Sequence, residues 1–319
     1  LCMAEVNVAH ASKVCSLLRE NVEQVIVGKS EVIQRTIVAL MAGGHVLFED
    51  VAGLGKTMLA RALAVSMGGT FRRIQFTPDL LPTDVTGVTI YNQRDGDFEF
   101  RPGPIFANVL VADEINRTSP RTQAALLEAM AERQVTADGV TYELPNPFFV
   151  MATENPLELE GTYPLPVSQL DRFTMRLSIG YPSKDAEAEV VRRQLVRHPI
   201  EVLEPVTTAE EVHEVQWAVS HCYVDDRIYN YVISIVDQTR SWEDVEVGAS
   251  PRGTIALIRS AQALAVLQGR DFVIPDDIKQ LAPLCLPHRL ILRPEARLRG
   301  VTASYVVADI LEFTQVAEE

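Results

Sequence analysis

The chain has 319 residues, enough for two domains, and 47% hydrophobic content, ordinary for a folded globular protein. Its 29 basic residues face 43 acidic ones, and a net charge of −14 argues against a general affinity for nucleic acid or anionic membrane. No apolar run approaches the roughly 20 residues that span a bilayer, and the opening LCMAEVNVAHASKV lacks the basic flank and apolar core of a signal peptide. Cys2, Cys15, Cys222 and Cys285 are scattered, with no C-x-x-C pair. They read as reduced structural thiols of a cytoplasmic protein rather than as a disulfide or zinc set.

Taken in chain order, apolar residues at three- and four-residue spacing predict helix from Ala11 to Ala42. HVLFED follows as a buried strand, then KTMLARALAVSM as a helix closed by Gly68 and Gly69. FRRIQF, NVLVADE, PFFVMATEN and RFTMRLSIG supply four more strands, with a helix from Arg121 to Glu132 among them. Apolar strands alternating with helices indicate a parallel sheet covered on both faces, whose ligands sit at the carboxyl ends of the strands. Two polar, alternating segments, around Asp95-Gly96 and Asp138-Gly139, read instead as projecting hairpins. After Tyr181 the rhythm becomes helical: Ala186–Val196, Ala209–Ser220, Arg227–Thr239, Pro251–Leu267, Pro275–Leu284 and Ala303–Val316. Thr208 with Glu211 resembles a capping box, and Ser250 before Pro251 an N-cap. The expected division is an α/β nucleotide-binding domain over 1–181 and an all-α domain over 182–319.

The chemistry concentrates in EDVAGLGKT, Glu49 to Thr57. Its end matches the phosphate-binding pattern G-x-x-x-x-G-K-[ST], although Asp50 stands where the first glycine belongs. A strand, Gly53-Leu54-Gly55, and a helix opening at Lys56 place the N–H groups of Gly53 through Met58 towards a phosphate. Lys56 supplies a full charge, and the Thr57 hydroxyl is placed for Mg²⁺. The alternative is an ordinary strand–helix turn punctuated by glycine. In NVLVADE the apolar strand delivers Asp113 and Glu114 to the same edge, one to hold Mg²⁺ and one to polarise the attacking water. A solvated strand end is the bland reading of that pair taken alone. Asn155, beyond the fourth strand, can place the water or simply make a turn before Pro156. Spacing alone does not single out Arg172 or Arg252 from solvated arginines.

With these motifs in view, the chain resembles the MoxR-type AAA+ ATPases, in the branch with a hairpin inserted in helix 2. The resemblance runs in family order through VGKSEVI, GGHVLFEDVAGLGKTMLARALA, RIQFTPDLLPTDVTG, FRPGPIFANVLVADEINRTSPRTQAALLEAMAERQVT, PFFVMATENPLELEGTYPLPVSQLDRF, ASPRG and DDIKQLAPLCLPHRLIL. It implies a P-loop AAA+ core with a five-stranded parallel sheet, hairpin inserts and a helical lid. Lys56 and Thr57 match Walker A, Asp113 and Glu114 Walker B, and Asn155 sensor 1. Arg172 resembles the arginine finger that acts on ATP held by a neighbouring subunit. Arg252 resembles sensor 2, reaching from the lid to its own subunit's γ-phosphate. Val27 and Gly28 fall where such proteins wrap adenine, and Arg117 is a second candidate for an inter-subunit arginine. The resemblance further implies ATP, Mg²⁺, a homo-oligomeric ring of six, a von Willebrand factor A-domain partner and a client protein that is matured or loaded with metal. Ala52, Glu154 and Gly253 depart from the residues usual there, and Glu154 adds an acid beside sensor 1. Asp50 is common at its place in the family, and its carboxylate is expected to turn away from the phosphates.

A metal-chelatase ATPase subunit would keep the fold and change the class, but EGTYPLP and EINRTSP read as MoxR-like. A DNA-translocating motor is disfavoured by the acidic charge and by the lack of an appended basic or zinc module. A non-hydrolysing scaffold is disfavoured by the intact Glu114, Asn155 and Arg172.

Overall fold

The computed structural model describes residues 7–315, except 95, 158–160 and 197. The chain opens with α1 (Val8–Glu23) and α2 (Ser30–Met41). The single helical run expected here is broken because Gly28 adopts φ +72°, and a Cβ there would come within 2.9 Å of the Ala186 Cβ. Only glycine satisfies both demands. Then come β1 (Val46–Glu49), α3 (Lys56–Ser66), β2 (Phe71–Gln75), α4 (Pro82–Thr86), β3 (Gly87–Asn92), β4 (Asp97–Pro102) and β5 (Val109–Asp113). α5 (Pro120–Glu132), β6 (Gln134–Ala137), β7 (Val140–Glu143), β8 (Phe149–Glu154), α6 (Val167–Leu170) and β9 (Met175–Leu177) complete the α/β part.

β2, β5, β8, β1 and β9 form, in that order, the five-stranded parallel sheet that the alternation demanded. Its central strands are buried on both faces, so their residues divide between two cores. Val109, Val111, Phe149 and Met151 join the core under α1–α3. Leu110, Ala112, Val150 and Ala152 join the core under α5. β5 follows β2 in space only after a hairpin and a loop, and this register sets Gln75 beside Asp113.

Both polar segments are antiparallel hairpins, β3 with β4 and β6 with β7. Asp95, at the first turn, lies outside the described residues. At the second, Asp138 and Gly139 take φ +50° and +80°, the left-handed pair a tight hairpin needs. Phe100 stacks on Tyr142 with ring centroids 4.0 Å apart, joining the two hairpins.

The remainder is the helical lid: α7 (Lys184–Val196), α8 (Ala209–Ser220), α9 (Asp226–Ser241), then β10 (Val245–Val247), α10 (Pro251–Leu267) and α11 (Pro275–Cys285). β11 (Ile291–Leu292), α12 (Pro294–Leu298) and α13 (Ala303–Phe313) finish it. β10 and β11 pair as a small antiparallel ribbon within this otherwise helical region. The capping box of Thr208 and Glu211 opens α8, and Ser250 caps α10 ahead of Pro251. α1 and α2 also reach the lid: the Ser12 hydroxyl donates to the Leu267 carbonyl, and Gln216 to that of Leu40. Among the described residues no helix is long and apolar enough to cross a membrane.

Candidate active site

Between β1 and α3 the backbone takes left-handed φ at Gly53 (+85°) and Gly55 (+89°), and Gly55 is the N-cap of α3. A Cβ at either would meet nothing within 4 Å, so the requirement is conformational rather than one of space. Lys56, only 9% exposed, folds its ammonium over the loop and donates to the carbonyls of Asp50 (2.8 Å) and Val51 (3.1 Å). Burial lowers its pKa, opposed by the charges of Asp50, Asp113 and Glu114. The Asp50 carboxylate does turn away from the loop interior. It accepts from the Ser178 hydroxyl (2.7 Å) and the N–H groups of Ile179 (2.5 Å) and Gly180 (3.3 Å).

Facing the loop, Asp113 ends β5 with each oxygen engaged. Oδ1 accepts from the Thr153 hydroxyl at 2.6 Å, and Oδ2 from Arg73 at 2.6 and 3.2 Å. Glu114 sits at φ +56°, and its N–H donates to the Thr153 hydroxyl oxygen at 2.9 Å. Its Oε2 accepts from Gln75 (2.8 Å) and Arg117 (3.0 Å), so Arg117 pairs within its own chain. Asn155 accepts from the Leu157 N–H at 3.2 Å, the contact of a turn asparagine, and still borders the same space. Gly53, Gly55, Lys56, Thr57, Met58, Asp113, Glu114 and Asn155 all line one cavity of about 420 Å³.

Arg73, Gln75 and Thr153 border this cavity too and were missed from sequence. Their signal was polar residues alternating within FRRIQF and a threonine before the strand end of VMATEN. Leu54 packs part of its side chain against the core. Val27 and Gly28 lie outside the cavity lining, at the turn before α2. Lys29, next to them, donates to the carbonyls of Ile179 and Tyr181, in the segment that Asp50 also holds.

Glu154 is turned the other way from Thr153 and Asn155. It lies beside Glu49 in register, with Arg176 paired to Glu49 at 3.0 Å. Burial first, and the Glu49 charge second, push its pKa up to about 7 against the pull of Arg176. The extra acid beside Asn155 is therefore not among the residues that line the loop cavity.

Arg172 and Arg252 are brought together elsewhere, in a second cavity of about 280 Å³ that shares no lining residue with the first. Arg172 donates to the Leu127 carbonyl. Arg252 is exposed in the first turn of α10. Asp171 organises both: one oxygen accepts from the Ser250 hydroxyl (2.7 Å), the other from the buried Arg289 (2.8 Å). Arg289 also donates to the Phe173 carbonyl at 2.7 Å. Gly253 leaves room for it, since a Cβ there would stand 3.0 Å from the Arg289 Cδ. The lid thus presents Arg252 on the face that bears Arg172, outside the lining of the first cavity.

Residues 45–175 match the family described as "ATPase family associated with various cellular activities (AAA)", and residues 237–310 match the AAA lid domain. YeaC of Bacillus subtilis is 55% identical over 297 residues, 93% of each chain. Chaperone MoxR1 of Mycobacterium tuberculosis is 41% identical over 91% of this chain and 79% of its own. The crystal structure of a protein from Cytophaga hutchinsonii that carries an ATPase assignment superposes with a TM-score of 0.92. It is 39% identical and covers 98% of this chain and 97% of its own. Magnesium-chelatase subunits match over a smaller share of the chain. A glycine loop, paired acids and a helical lid agree with these matches: the chain belongs to the MoxR family of AAA ATPases and is an ATP-hydrolysing enzyme.

Proposed function

We propose that the protein is one subunit of a ring, hexameric and cytoplasmic, that spends ATP on chaperone-like remodelling or maturation of a client protein. One observation supports this most: Lys56, Thr57, Asp113, Glu114 and Asn155 share a cavity, while Arg172 and Arg252 stand together outside it. A site that holds its lysine at the loop while Arg172 and Arg252 lie on another face can be completed by a second copy, which is how a ring makes hydrolysis depend on its neighbours.

In this reading Lys56 exchanges the carbonyls of Asp50 and Val51 for phosphate oxygens, and the N–H groups from Gly53 to Met58 cradle them. Val27 and Gly28 border the adenine. Thr57 and Asp113 are hard oxygen donors at one cavity, which suits Mg²⁺. Among the described residues no cluster of three or more His, Cys, Asp or Glu could hold a metal by itself, so phosphate oxygens would complete the shell. Mg²⁺ would neutralise charge on the phosphates. Glu114 takes the proton of the attacking water and Asn155 orients that water. Arg172, with Arg252 beside it, offsets charge on the γ-phosphoryl group held by the neighbour. Arg117, tied to Glu114 in its own chain, takes second place for that task.

MoxR1 bears the name of a chaperone, which favours protein remodelling as the output. A von Willebrand factor A-domain partner and metal loading of the client are the form it takes here. The chelatase alternative is weaker because the chelatase matches are shorter and less identical than that of MoxR1.

Two variants test the site. Lys56→Ala is expected to abolish binding of a fluorescent ATP analogue. Glu114→Gln is expected to bind it like the wild type and release phosphate at least about 100-fold more slowly. Equal turnover by Glu114→Gln and wild type overturns the catalytic assignment. The same variant, stalled with ATP, is the bait for the client.

A further inference from the structure

The segment joining β9 to α7 is gripped from two sides. Asp50, 8% exposed, accepts three hydrogen bonds from it: Ser178 Oγ at 2.7 Å, the Ile179 N–H at 2.5 Å and the Gly180 N–H at 3.3 Å. From the turn before α2, Lys29 Nζ donates to the carbonyls of Ile179 (2.6 Å) and Tyr181 (2.8 Å). The linker's amides are therefore held by the phosphate loop and its carbonyls by the entry to α2. Gly180, at φ +65°, lets the chain turn between these contacts. A glycine at position 50, as in the usual loop pattern, would offer no side chain for this.

Asp50 also faces the other way. Its carbonyl, with that of Val51, takes two of the three ammonium protons of Lys56. A polyphosphate that draws Lys56 to itself loosens those two carbonyls. The disturbed residue is the one whose side chain holds the linker. Charge-assisted bonds of this kind are strong and directional, and removal of a buried carboxylate leaves its donors unpaired.

We propose that Asp50 is a positioning residue that ties the core–lid linker to the phosphate loop. Occupancy of the loop is thereby passed to the segment that joins the core to the lid. The proposal rests on the reading of Gly53–Thr57 as the nucleotide loop.

Hydrogen exchange at the Ile179 and Gly180 amides of the full chain tests it, with a fluorescent ADP analogue reporting binding. In Asp50→Gly, which restores the usual glycine, these amides are expected to exchange about tenfold faster without nucleotide. The Kd for the ADP analogue should stay within about threefold of wild type, because the N–H groups from Gly53 onward are untouched. ADP should alter exchange at the linker in the wild type and leave it unaltered in Asp50→Gly. Linker amides as protected in the variant as in the wild type overturn the proposal. So does a wild-type linker indifferent to ADP. If Asp50→Gly does not fold, Ser178→Ala removes one donor from outside the loop, and exchange equal to wild type in that variant overturns the proposal equally. Lys56→Ala separates the two readings: normal ADP binding by it defeats the nucleotide loop, whereas nucleotide-free exchange alone judges the grip of Asp50.

Discussion

Two carboxylates meet at the carboxyl edge of the sheet, because β1 and β8 run parallel in a register that sets Glu49 beside Glu154. Arg176 on the next strand pairs with Glu49, leaving Glu154 the more buried and less compensated acid. Its pKa rises from 4.5 to about 7. The folded state thus holds this proton more tightly than the unfolded chain, so its contribution is full below pH 4.5 and is lost as pH climbs through 7. Glu154→Gln is neutral at every pH and escapes that loss. It is predicted to stabilise the fold by up to about 3 kcal/mol at pH 8 and by little at pH 4. Urea midpoints at the two pH values check this, and equal gains at both refute the burial argument. Nucleotide affinity should not move, since the side chain faces away from the loop. Alternation along the strand sets Glu154 opposite Thr153 and Asn155, but the Glu49 and Arg176 it meets there depend on which strand lies alongside.

At the scale of elements, the loop, the acids and the sheet were legible because each is written in a short contiguous run. EDVAGLGKT and NVLVADE carry their own strand, turn and helix signals, and both must end at the same edge of a parallel sheet. What stayed hidden depends on partners distant in the chain. Arg73 and Gln75 reach Asp113 and Glu114 only because β2 lies against β5. The β10–β11 ribbon is too short to show a period. Where Arg252 stands relative to the phosphate loop depends likewise on how the lid docks, which no short run of sequence encodes. That docking has an anchor. Arg289, 2% exposed, joins the turn after α11 to Asp171 and Phe173, next to Arg172. Arg289→Met should cost about 3–5 kcal/mol, because it leaves Asp171 without its buried partner. Adding Asp171→Asn should return part of that loss, read as a partial recovery of the denaturation midpoint. A double variant no more stable than Arg289→Met alone would show that the pair is not coupled.

For the whole molecule, the proposed function makes one chain an incomplete catalyst. The phosphate cavity and the arginine cavity share no lining residue, and Asp171 binds the loop of Arg172 to the cap of the helix bearing Arg252. A contact between unlike faces of identical chains closes into a ring when its rotation permits, and then every phosphate cavity can meet a neighbour's arginine pair. Arg172→Ala is predicted to bind ATP as the wild type does and to hydrolyse it about 10³-fold more slowly. Arg252→Ala should follow it in direction, since Asp171 presents both. Lys56→Ala, unable to bind nucleotide, should be equally inactive. Mixing Arg172→Ala with Lys56→Ala distinguishes the geometries: a ring of both contains interfaces where an intact loop meets an intact Arg172, so phosphate release should recover. Arginines acting within their own chain would leave the mixture as inactive as its parts. Dilution supplies the control, because activity that depends on a neighbour falls per chain as the assembly dissociates.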